Sequence, residues 1–193
     1  MMILPEDEAA PDLRPDVAVL AVGLVAIAIV SATTLPFATT IASTVLGGLM
    51  LSGADIDART LLLPDVITVC ALLCGLAAAP LLDPSQPLLA VAVAAARAAL
   101  VALAVGLLRW SYGAMRGREG LGWGDVKLAA AIGAWLPLAA VPMCFALATA
   151  AASIAVGFAR LRGRHVSAAI KIPFGAFLCP ALWLSFYANA LAN

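Results

Sequence analysis

The run "LLAVAVAAARAALVALAVGLL", residues 88–108, contains one charged residue, Arg97. About twenty predominantly apolar residues are enough to cross a bilayer as an α-helix. Similar runs recur along the whole chain, in which 64% of the 193 residues are hydrophobic and 11% are charged, with a mean hydropathy of +1.07. Soluble domains contain about 45–50% apolar and about 25% charged residues. The sequence therefore predicts an all-α fold, a polytopic membrane helical bundle.

Charges and turn-forming residues divide the apolar sequence into about seven spans. The segment that follows Asp125 is too long for one crossing, and Pro137 and Pro142 lie where a turn would divide it, because proline removes a backbone donor. One span is therefore expected to be short or re-entrant. The predicted spans are 17–35, 38–55, 65–82, 87–110, 125–136, 138–159 and 172–190.

The first sixteen residues, "MMILPEDEAAPDLRPD", are acidic and rich in proline. They lack the basic region that opens a secretory signal peptide. We expect residues 1–16 to form a short cytoplasmic tail and residues 17–191 to form a single transmembrane domain.

The distribution of Lys and Arg predicts the orientation of the spans. The connections 56–64, 111–124 and 160–171 fall on the same side as the N-terminus, whereas "LLDPSQP", residues 81–87, falls on the other side and has no basic residue. The basic side is expected to be cytoplasmic. Its residues are Arg14, Arg59, Arg109, Arg116, Arg118, Lys127, Arg160, Arg162, Arg164 and Lys171. Since the net charge is zero and these connections are short, no nucleic-acid partner is expected.

The cysteines do not form a metal-binding or disulfide pattern. Cys70, Cys74, Cys144 and Cys179 all lie inside apolar spans, with no cluster of histidines nearby. We interpret them as small buried hydrophobic residues.

Two acidic segments fall at the cytoplasmic edge of the predicted bundle. They are "SGADIDARTLLLPD", residues 52–65, and "GLGWGD", residues 120–125. Ionisable groups at or inside the bilayer boundary are costly and indicate a functional site by default. A structural interpretation is also open, because Asp125 and Asp65 both stand where a helix begins and suit the positive end of its dipole.

Two carboxylates brought close together can perform chemistry that neither could perform alone. They cannot both ionise easily, so the pair shares a proton and can hold a water between a base and an acid. Glycines beside Asp125 would let an extended peptide backbone approach. The pattern favours an intramembrane aspartyl protease.

Three stretches, in this order, resemble the motifs of the type IV prepilin peptidases, a family of GxGD-type membrane aspartyl proteases. They are "DIDARTLLLPD" (55–65), "GLGWGDVKLAAAIGAWL" (120–136) and "KIPFGAFLCPA" (171–181), the last with Ala176 where the family commonly has proline. A single GxGD sequence would be weak in a chain so rich in glycine and alanine. The ordered set is specific.

The resemblance implies that Asp57, seven residues before Pro64, and Asp125 are the catalytic pair, and that Gly122 and Gly124 permit the substrate to approach. It also implies removal of the basic leader of prepilins or pseudopilins, after a glycine and at the cytoplasmic face of the bacterial cytoplasmic membrane. Such substrates serve type IV pili or type II secretion. No cofactor is expected for peptide cleavage.

One feature departs from the longer members of that family. They carry a cytoplasmic domain with two C-x-x-C pairs between their first two spans and also N-methylate the trimmed substrate. Here only "SATTLPF" separates those spans. The chain resembles a short form, for which N-methyltransferase activity is doubtful.

Several further residues are candidates for supporting the site. Arg59 and Lys127 could tune the aspartates, although anchoring on the basic side also explains them. Arg97, inside a span, should face the bundle interior and pair with a carboxylate or with carbonyls. Asp55 points away from Asp57 on a helix and is interpreted as a solvated acid. The supporting candidates are Arg59, Pro64, Asp65, Arg97 and Lys127.

Three alternatives remain at the level of sequence. "CPAL", residues 179–182, is similar to a short motif of presenilin-like proteases with other substrates. A transporter would have acids near the midplane and repeated halves, which are not evident here. A non-enzymatic assembly factor of a pilus or secretion system could bind prepilins on the same scaffold. The expected partners are prepilin or pseudopilin substrates and the lipid bilayer, and the oligomeric state is not encoded.

Overall fold

The structure is a computed structural model that describes residues 14–116, 122–162 and 173–192. Seven α-helices and no strand occur in these ranges, which confirms the all-α prediction. The predicted tail lies mostly outside the described residues, as do Gly120, Arg118, Arg164 and Lys171. The helices are α1 Val17–Thr34, α2 Phe37–Thr60, α3 Asp65–Leu82, α4 Pro87–Arg116, α5 Trp123–Trp135, α6 Val141–Leu161 and α7 Phe174–Ala192.

Six of the seven helices are long and apolar enough to cross a membrane, and α5 is the exception. With 13 residues, α5 has a length of roughly 20 Å, too short for a bilayer core of about 30 Å. The chain turns after it at Leu136–Ala140. Pro142 lies in the first turn of α6, where proline is tolerated, so Pro137 alone stands in the turn.

Two helices extend five or six residues beyond their predicted ends, whereas α6 and α7 extend only two residues beyond theirs. The second span was expected to end at residue 55, but α2 continues to Thr60 and ends where Leu61 adopts a left-handed conformation with φ 56°. The fourth was expected to end at residue 110, but α4 continues to Arg116. In both cases polar residues continue the helix past the apolar run, because backbone hydrogen bonding does not stop where hydropathy falls. Asp57 is consequently a helical residue.

Helix α2 lies at the centre of the bundle and packs on α1, α3 and α7, while α5 packs on α3 and α4 and touches α7. Fully buried side chains of α2, α5 and α7 meet in the core, among them Leu46, Leu128, Ile132, Leu178 and Leu182.

Successive helices run in opposite directions, so the described basic residues other than Arg97 gather at one end of the bundle. We call this the basic end; it contains Arg14, Arg59, Arg109, Lys127, Arg160 and Arg162. The C-terminal ends of α2, α4 and α6 meet there with the first turns of α1, α3, α5 and α7. The short connections α1–α2, α3–α4 and α5–α6 lie at the opposite end.

Candidate active site

Asp57 lies in the last turns of α2 and is 5% exposed. Its Oδ2 atom accepts a hydrogen bond of 2.7 Å from the backbone N–H of Ala176, in the first turn of α7. Free N–H groups and the helix dipole make this position a natural site for a carboxylate. Ala176 belongs to the third sequence motif, residues 171–181, so this motif positions Asp57, the aspartate of the first motif.

Gly175 is the residue that lets the start of α7 approach Asp57. A Cβ atom at this position would lie 2.9 Å from Oδ2 and 3.0 Å from Cγ of Asp57. Any side chain would therefore push the carboxylate away. Sequence reasoning did not assign a role to Gly175 or Ala176, although a glycine directly after "IPF" at the start of an apolar run was the available signal.

Asp125 lies in the first turn of α5 and is half-buried. Its Oδ2 atom accepts a hydrogen bond of 3.2 Å from the N–H of Gly122, the residue that caps the helix. Asp125 is therefore the third residue of α5 and not the N-cap that the structural interpretation expected, and its contact runs back to the N-cap residue. It uses one carboxylate oxygen.

The surroundings of Asp125 act on its ionisation. Burial raises the pKa of Asp125 above the ordinary value of a carboxyl, whereas the Gly122 N–H lowers it. The negative charge of Asp57 raises the pKa of Asp125 further, and the positive charge of Arg109 lowers it. The net direction is upward, as expected for a buried carboxyl close to a second one.

The connection between α2 and α3 packs against both helices that carry the aspartates. Leu63 lies in this connection, and its side chain contacts Gly53 of α2, one turn before Asp57. The same residue lies against Gly124 of α5, next to Asp125. Both aspartates are thus held at the basic end, on either side of Leu63.

The two motif glycines have different surroundings. A Cβ atom at Gly124 would lie 3.2 Å from Cβ of Leu63 and 3.5 Å from its carbonyl oxygen. Glycine at this position allows α5 to pack on the α2–α3 connection. Gly122 is exposed, and among the described residues a Cβ atom there would meet only Asp125 and the backbone of Gly124. Of the two, Gly122 is the one with open space around it.

The charged supporting candidates form two ion pairs. Lys127 Nζ lies 2.6 Å from Asp65 Oδ1 and connects the first turns of α5 and α3. Arg59 Nη2 lies 2.6 Å from Asp55 Oδ2, one turn earlier on α2. Pro64 directly precedes α3 as its capping residue.

Arg59 and Asp55 also bind the segment that leads into α1. Arg59 Nη2 donates to the carbonyl of Arg14 at 2.6 Å, and the N–H of Asp16 donates to Asp55 at 2.7 Å. These contacts fix the start of α1 against the end of α2. Asp55 is therefore bonded on one face of α2, whereas Asp57 lies on another face of the same helix, toward α7.

Arg109 is a site residue that sequence reasoning treated only as part of the basic side. Its guanidinium carbon lies 4.8 Å from the ring centroid of Trp123, which immediately precedes Gly124. A cation over an indole ring is attracted by its negative face. Arg109 thereby connects α4 to the first turn of α5, close enough to Asp125 for its charge to act there.

Arg97 lies at the other end of α5. Its Nη2 atom donates to the carbonyl oxygen of Ala134 at 3.4 Å, in the last turn of the helix. The last carbonyls of a helix have no partner within the helix, and a cation there also suits the dipole. Arg97 therefore supports α5 from the end that does not carry Asp125.

Comparison with known proteins gives a consistent result. The profile of the type IV leader peptidase family matches residues 44–157, more than half of the chain. A prepilin leader peptidase/N-methyltransferase of Aeromonas salmonicida is 35% identical over 158 residues, which are 81% of this chain and 52% of that protein. Proteins of the same name from Burkholderia pseudomallei and Dickeya chrysanthemi are 38% and 44% identical, over 67% and 49% of this chain and 40% and 32% of their own lengths.

The chain thus spans about half the length, or less, of these curated relatives. No solved structure matches it. The apolar helices and the relatives together identify an integral membrane protein. With the profile match over more than half of its residues, the chain belongs to the type IV leader peptidase family.

Proposed function

We propose that this chain is a membrane aspartyl endopeptidase that removes the leader peptide of type IV prepilins or pseudopilins, with Asp57 and Asp125 as its catalytic pair. One observation carries the proposal. Two carboxylates, on α2 and α5, interact at the basic end of the bundle, beside the open backbone of Gly122. The name of the relatives, prepilin leader peptidase/N-methyltransferase, supports the substrate class.

The proposed mechanism uses the pair as a unit that holds one proton. The ionised carboxylate takes a proton from a water whose oxygen attacks the carbonyl carbon of the scissile peptide. The protonated carboxyl donates to the carbonyl oxygen, so charge does not accumulate there. When the C–N bond breaks, the amine leaves with a proton from the pair, and a hydroxyl of the diol returns its proton to the pair as the carboxyl product forms. One proton again remains between the two groups.

The hydrogen bonds to backbone N–H groups position both acids for this reaction. Asp57 Oδ2 is occupied by the Ala176 N–H and Asp125 Oδ2 by the Gly122 N–H. The remaining oxygen of each carboxylate is the one we assign to the water and the peptide. An extended substrate would pass Gly122, whose missing side chain leaves room for a backbone.

The positions of the basic residues support an orientation. Cytoplasmic edges of membrane proteins carry an excess of Lys and Arg. We propose that the basic end faces the cytoplasm of a bacterial cell, so that cleavage after the leader glycine occurs at the cytoplasmic face of the inner membrane. Members of the family act on this side.

The proposal does not extend to methyl transfer. Helix α1 ends at Thr34 and α2 begins at Phe37, so no domain is inserted between them. The cysteine-rich cytoplasmic domain of longer family members has no counterpart among the described residues. We propose a peptidase that does not methylate its product.

The test is cleavage of a co-expressed prepilin-like substrate, with mass spectrometry of the new N-terminus. Asp57→Asn and Asp125→Asn should each lower cleavage by at least about a hundredfold, the scale of a lost general acid or base. Asp55→Asn is the matched control, because Asp55 is two residues from Asp57 and is paired with Arg59. It should cleave at the wild-type rate, and the new N-terminus should carry no methyl group.

Two results would contradict the proposal. Cleavage that survives in Asp57→Asn or Asp125→Asn removes that aspartate from the mechanism. No cleavage by the wild type, across several prepilins of the same cell, would favour a binding or transport function instead.

A further inference from the structure

Leu63 stands in the α2–α3 connection between the two helices that carry the aspartates. A Cβ atom at Gly53 of α2 would lie 3.2 Å from Cδ1 of Leu63, and one at Gly124 of α5 would lie 3.2 Å from its Cβ atom. Each helix therefore presents a glycine to the same side chain. Small residues allow such close approach in membrane proteins. Leu63 packs against α2 and α5 at points where neither helix has a side chain of its own.

Both contacts lie within about one helical turn of an acid. Gly124 immediately precedes Asp125, and Gly53 is four residues before Asp57. Residues four apart lie on the same face of a helix, one above the other. Leu63 thus packs on the face of α2 that carries Asp57 and against the first turn of α5, which carries Asp125.

The separation of α2 from α5 depends on what lies between them. Helix α3 packs on both, and α7 packs on α2 and touches α5. Among the described residues, few of those in α2 come close to α5 directly. The distance between the two acids is therefore set through other elements, and the connection that contains Leu63 is the one that packs next to both acids.

The connection itself is held in place on both sides of Leu63. Leu61 ends α2 in a left-handed conformation with φ 56°, which costs free energy in a residue with a Cβ atom and persists only when the surroundings hold it. On the other side, the Lys127–Asp65 ion pair connects the first turns of α5 and α3. Leu63 is half-buried between these points, whereas Leu62 is 53% exposed.

We propose that Leu63 is a positioning residue for the catalytic pair, a spacer whose volume sets the distance between Asp57 and Asp125. This role rests on the proposed peptidase function. A smaller side chain would let the start of α5 settle toward α2, and a larger one would push it away. A water held between two carboxylates tolerates neither change, because catalytic groups must stay within about 0.5 Å of their productive geometry.

The first test is cleavage of a prepilin-like substrate by the purified, reconstituted full chain. Leu63→Ala and Leu63→Phe should each lower kcat about tenfold or more and change KM less than about twofold, because the substrate still binds while the reacting groups are displaced. Leu63→Met, which nearly keeps the volume, should retain at least about half of the wild-type kcat. The matched control is Leu62→Ala, which removes the same atoms from the exposed neighbouring residue and should match the wild type.

Three kinetic results would overturn the proposal. The first is equal kcat in Leu63→Ala and Leu62→Ala. The second is a rise in KM alone, which would make Leu63 a residue that contacts the substrate. The third is a kcat in Leu63→Met as low as that in Leu63→Ala, because the volume of the side chain would then not be what matters.

The second test measures the spacing without a substrate. Spin labels are attached at Ala58→Cys on α2 and Trp123→Cys on α5, two exposed positions one and two residues from the aspartates, in a chain whose four native cysteines are replaced by alanine. Electron paramagnetic resonance should show a shorter distance in Leu63→Ala and a longer one in Leu63→Phe, and no change in Leu62→Ala or Leu62→Phe.

The two tests separate the spacer from the proposed function. An unchanged distance in both Leu63 variants would overturn the spacer even if the wild type cleaves its substrate. No cleavage by the wild type would contradict the peptidase function instead, and the measured distances would still decide whether Leu63 sets the spacing of α2 and α5.

Discussion

Asp57 receives its hydrogen bond from a backbone N–H that lies 119 positions further along the chain, at the start of α7. Asp125 receives its own from a residue three positions earlier, within the same turn. One aspartate is thus held by tertiary structure and the other by local structure. Substitutions that move α7 should therefore affect Asp57 first.

The clearest residue-level prediction concerns Gly175. In Gly175→Ala the new methyl group would lie 2.9 Å from Asp57 Oδ2, so the carboxylate must move. Displacement of a catalytic group by about 1 Å can cost around a hundredfold in rate, and we expect cleavage to fall by at least tenfold. The matched control is Gly157→Ala in α6, where no described residue lies within 4 Å of the added methyl group. Equal cleavage by the two variants would contradict the contact.

The pH dependence of cleavage should reflect the raised pKa of Asp125. A carboxyl with a raised pKa keeps its proton to higher pH than the ordinary value of about 3.9. The proposed mechanism needs one proton on the pair, so cleavage should persist above the ordinary carboxyl range and fall as pH rises through the raised pKa. The measurement is the cleavage rate of the reconstituted protein as a function of pH.

Substitution of Arg109 tests the direction in which a nearby positive charge shifts the pKa of Asp125. Its charge lowers the pKa of Asp125, so Arg109→Gln should raise that pKa and move the falling limb of the profile to higher pH. Arg59→Gln is the control, because Arg59 is paired with Asp55 on a different face of α2. A limb that moves to lower pH in Arg109→Gln would contradict the assignment.

At the level of single residues, the sequence predicted the acids and missed what holds them. The motif spacing singled out Asp57 and Asp125 because motifs record order along the chain. The contacts of Gly175 and Leu63 depend on which helices pack together, and the spacing does not contain that information. Gly124 shows the difference, since it was predicted to make room for substrate and is found packed against Leu63.

At the level of elements, the short helix α5 packs closely against its neighbours on two sides. It is in direct backbone contact with α4: a Cβ atom at Gly133 would lie 2.5 Å from the carbonyl oxygen of Arg97 and 2.8 Å from Cα of Ala98. On its other side, Trp135 donates a hydrogen bond of 2.7 Å to the carbonyl of Ala71 in α3. Small residues at helix interfaces allow such close approach.

This contact predicts a large effect of a small substitution. Gly133→Ala should lower the stability of the folded protein by about 1–3 kcal/mol, because the methyl group meets backbone atoms that cannot rotate away. Gly113→Ala in α4, where none of the residues that the structure describes lies within 4 Å of the added methyl group, should leave the stability unchanged. Thermal unfolding in detergent, followed by circular dichroism, compares the two. Equal midpoints would show that α4 and α5 are not in this contact.

The existence and order of the helices could be read from hydropathy, and so could the shortness of the fifth. Their ends could not. Residues 56–60 and 111–116 continue α2 and α4 although they include Asp57, Arg59 and Arg116. The apolar run records where the bilayer would end, whereas the helix continues for as long as its hydrogen bonds are favourable.

At the level of the whole molecule, the basic end predicts the orientation in the membrane. Ser85 lies in the α3–α4 connection at the opposite end, and Arg162 follows α6 at the basic end. In whole cells, Ser85→Cys should react with a membrane-impermeant maleimide, and Arg162→Cys should react only after permeabilisation. The wild type is the control, because Cys144 and Cys179 are buried and Cys70 and Cys74 partly so. The reverse pattern would place the two aspartates outside.

Each end of α5 is bonded to a neighbouring helix. The Lys127–Asp65 ion pair connects one end to α3, and the hydrogen bond from Arg97 connects the other end to α4. A transmembrane helix of full length adjusts its tilt when the thickness of the bilayer changes. Helix α5 does not reach both surfaces, and its fastenings belong to α3 and α4. Its height along the membrane normal is therefore set by α3 and α4, so Asp125 follows these two helices, and not a membrane surface, when the thickness of the bilayer changes.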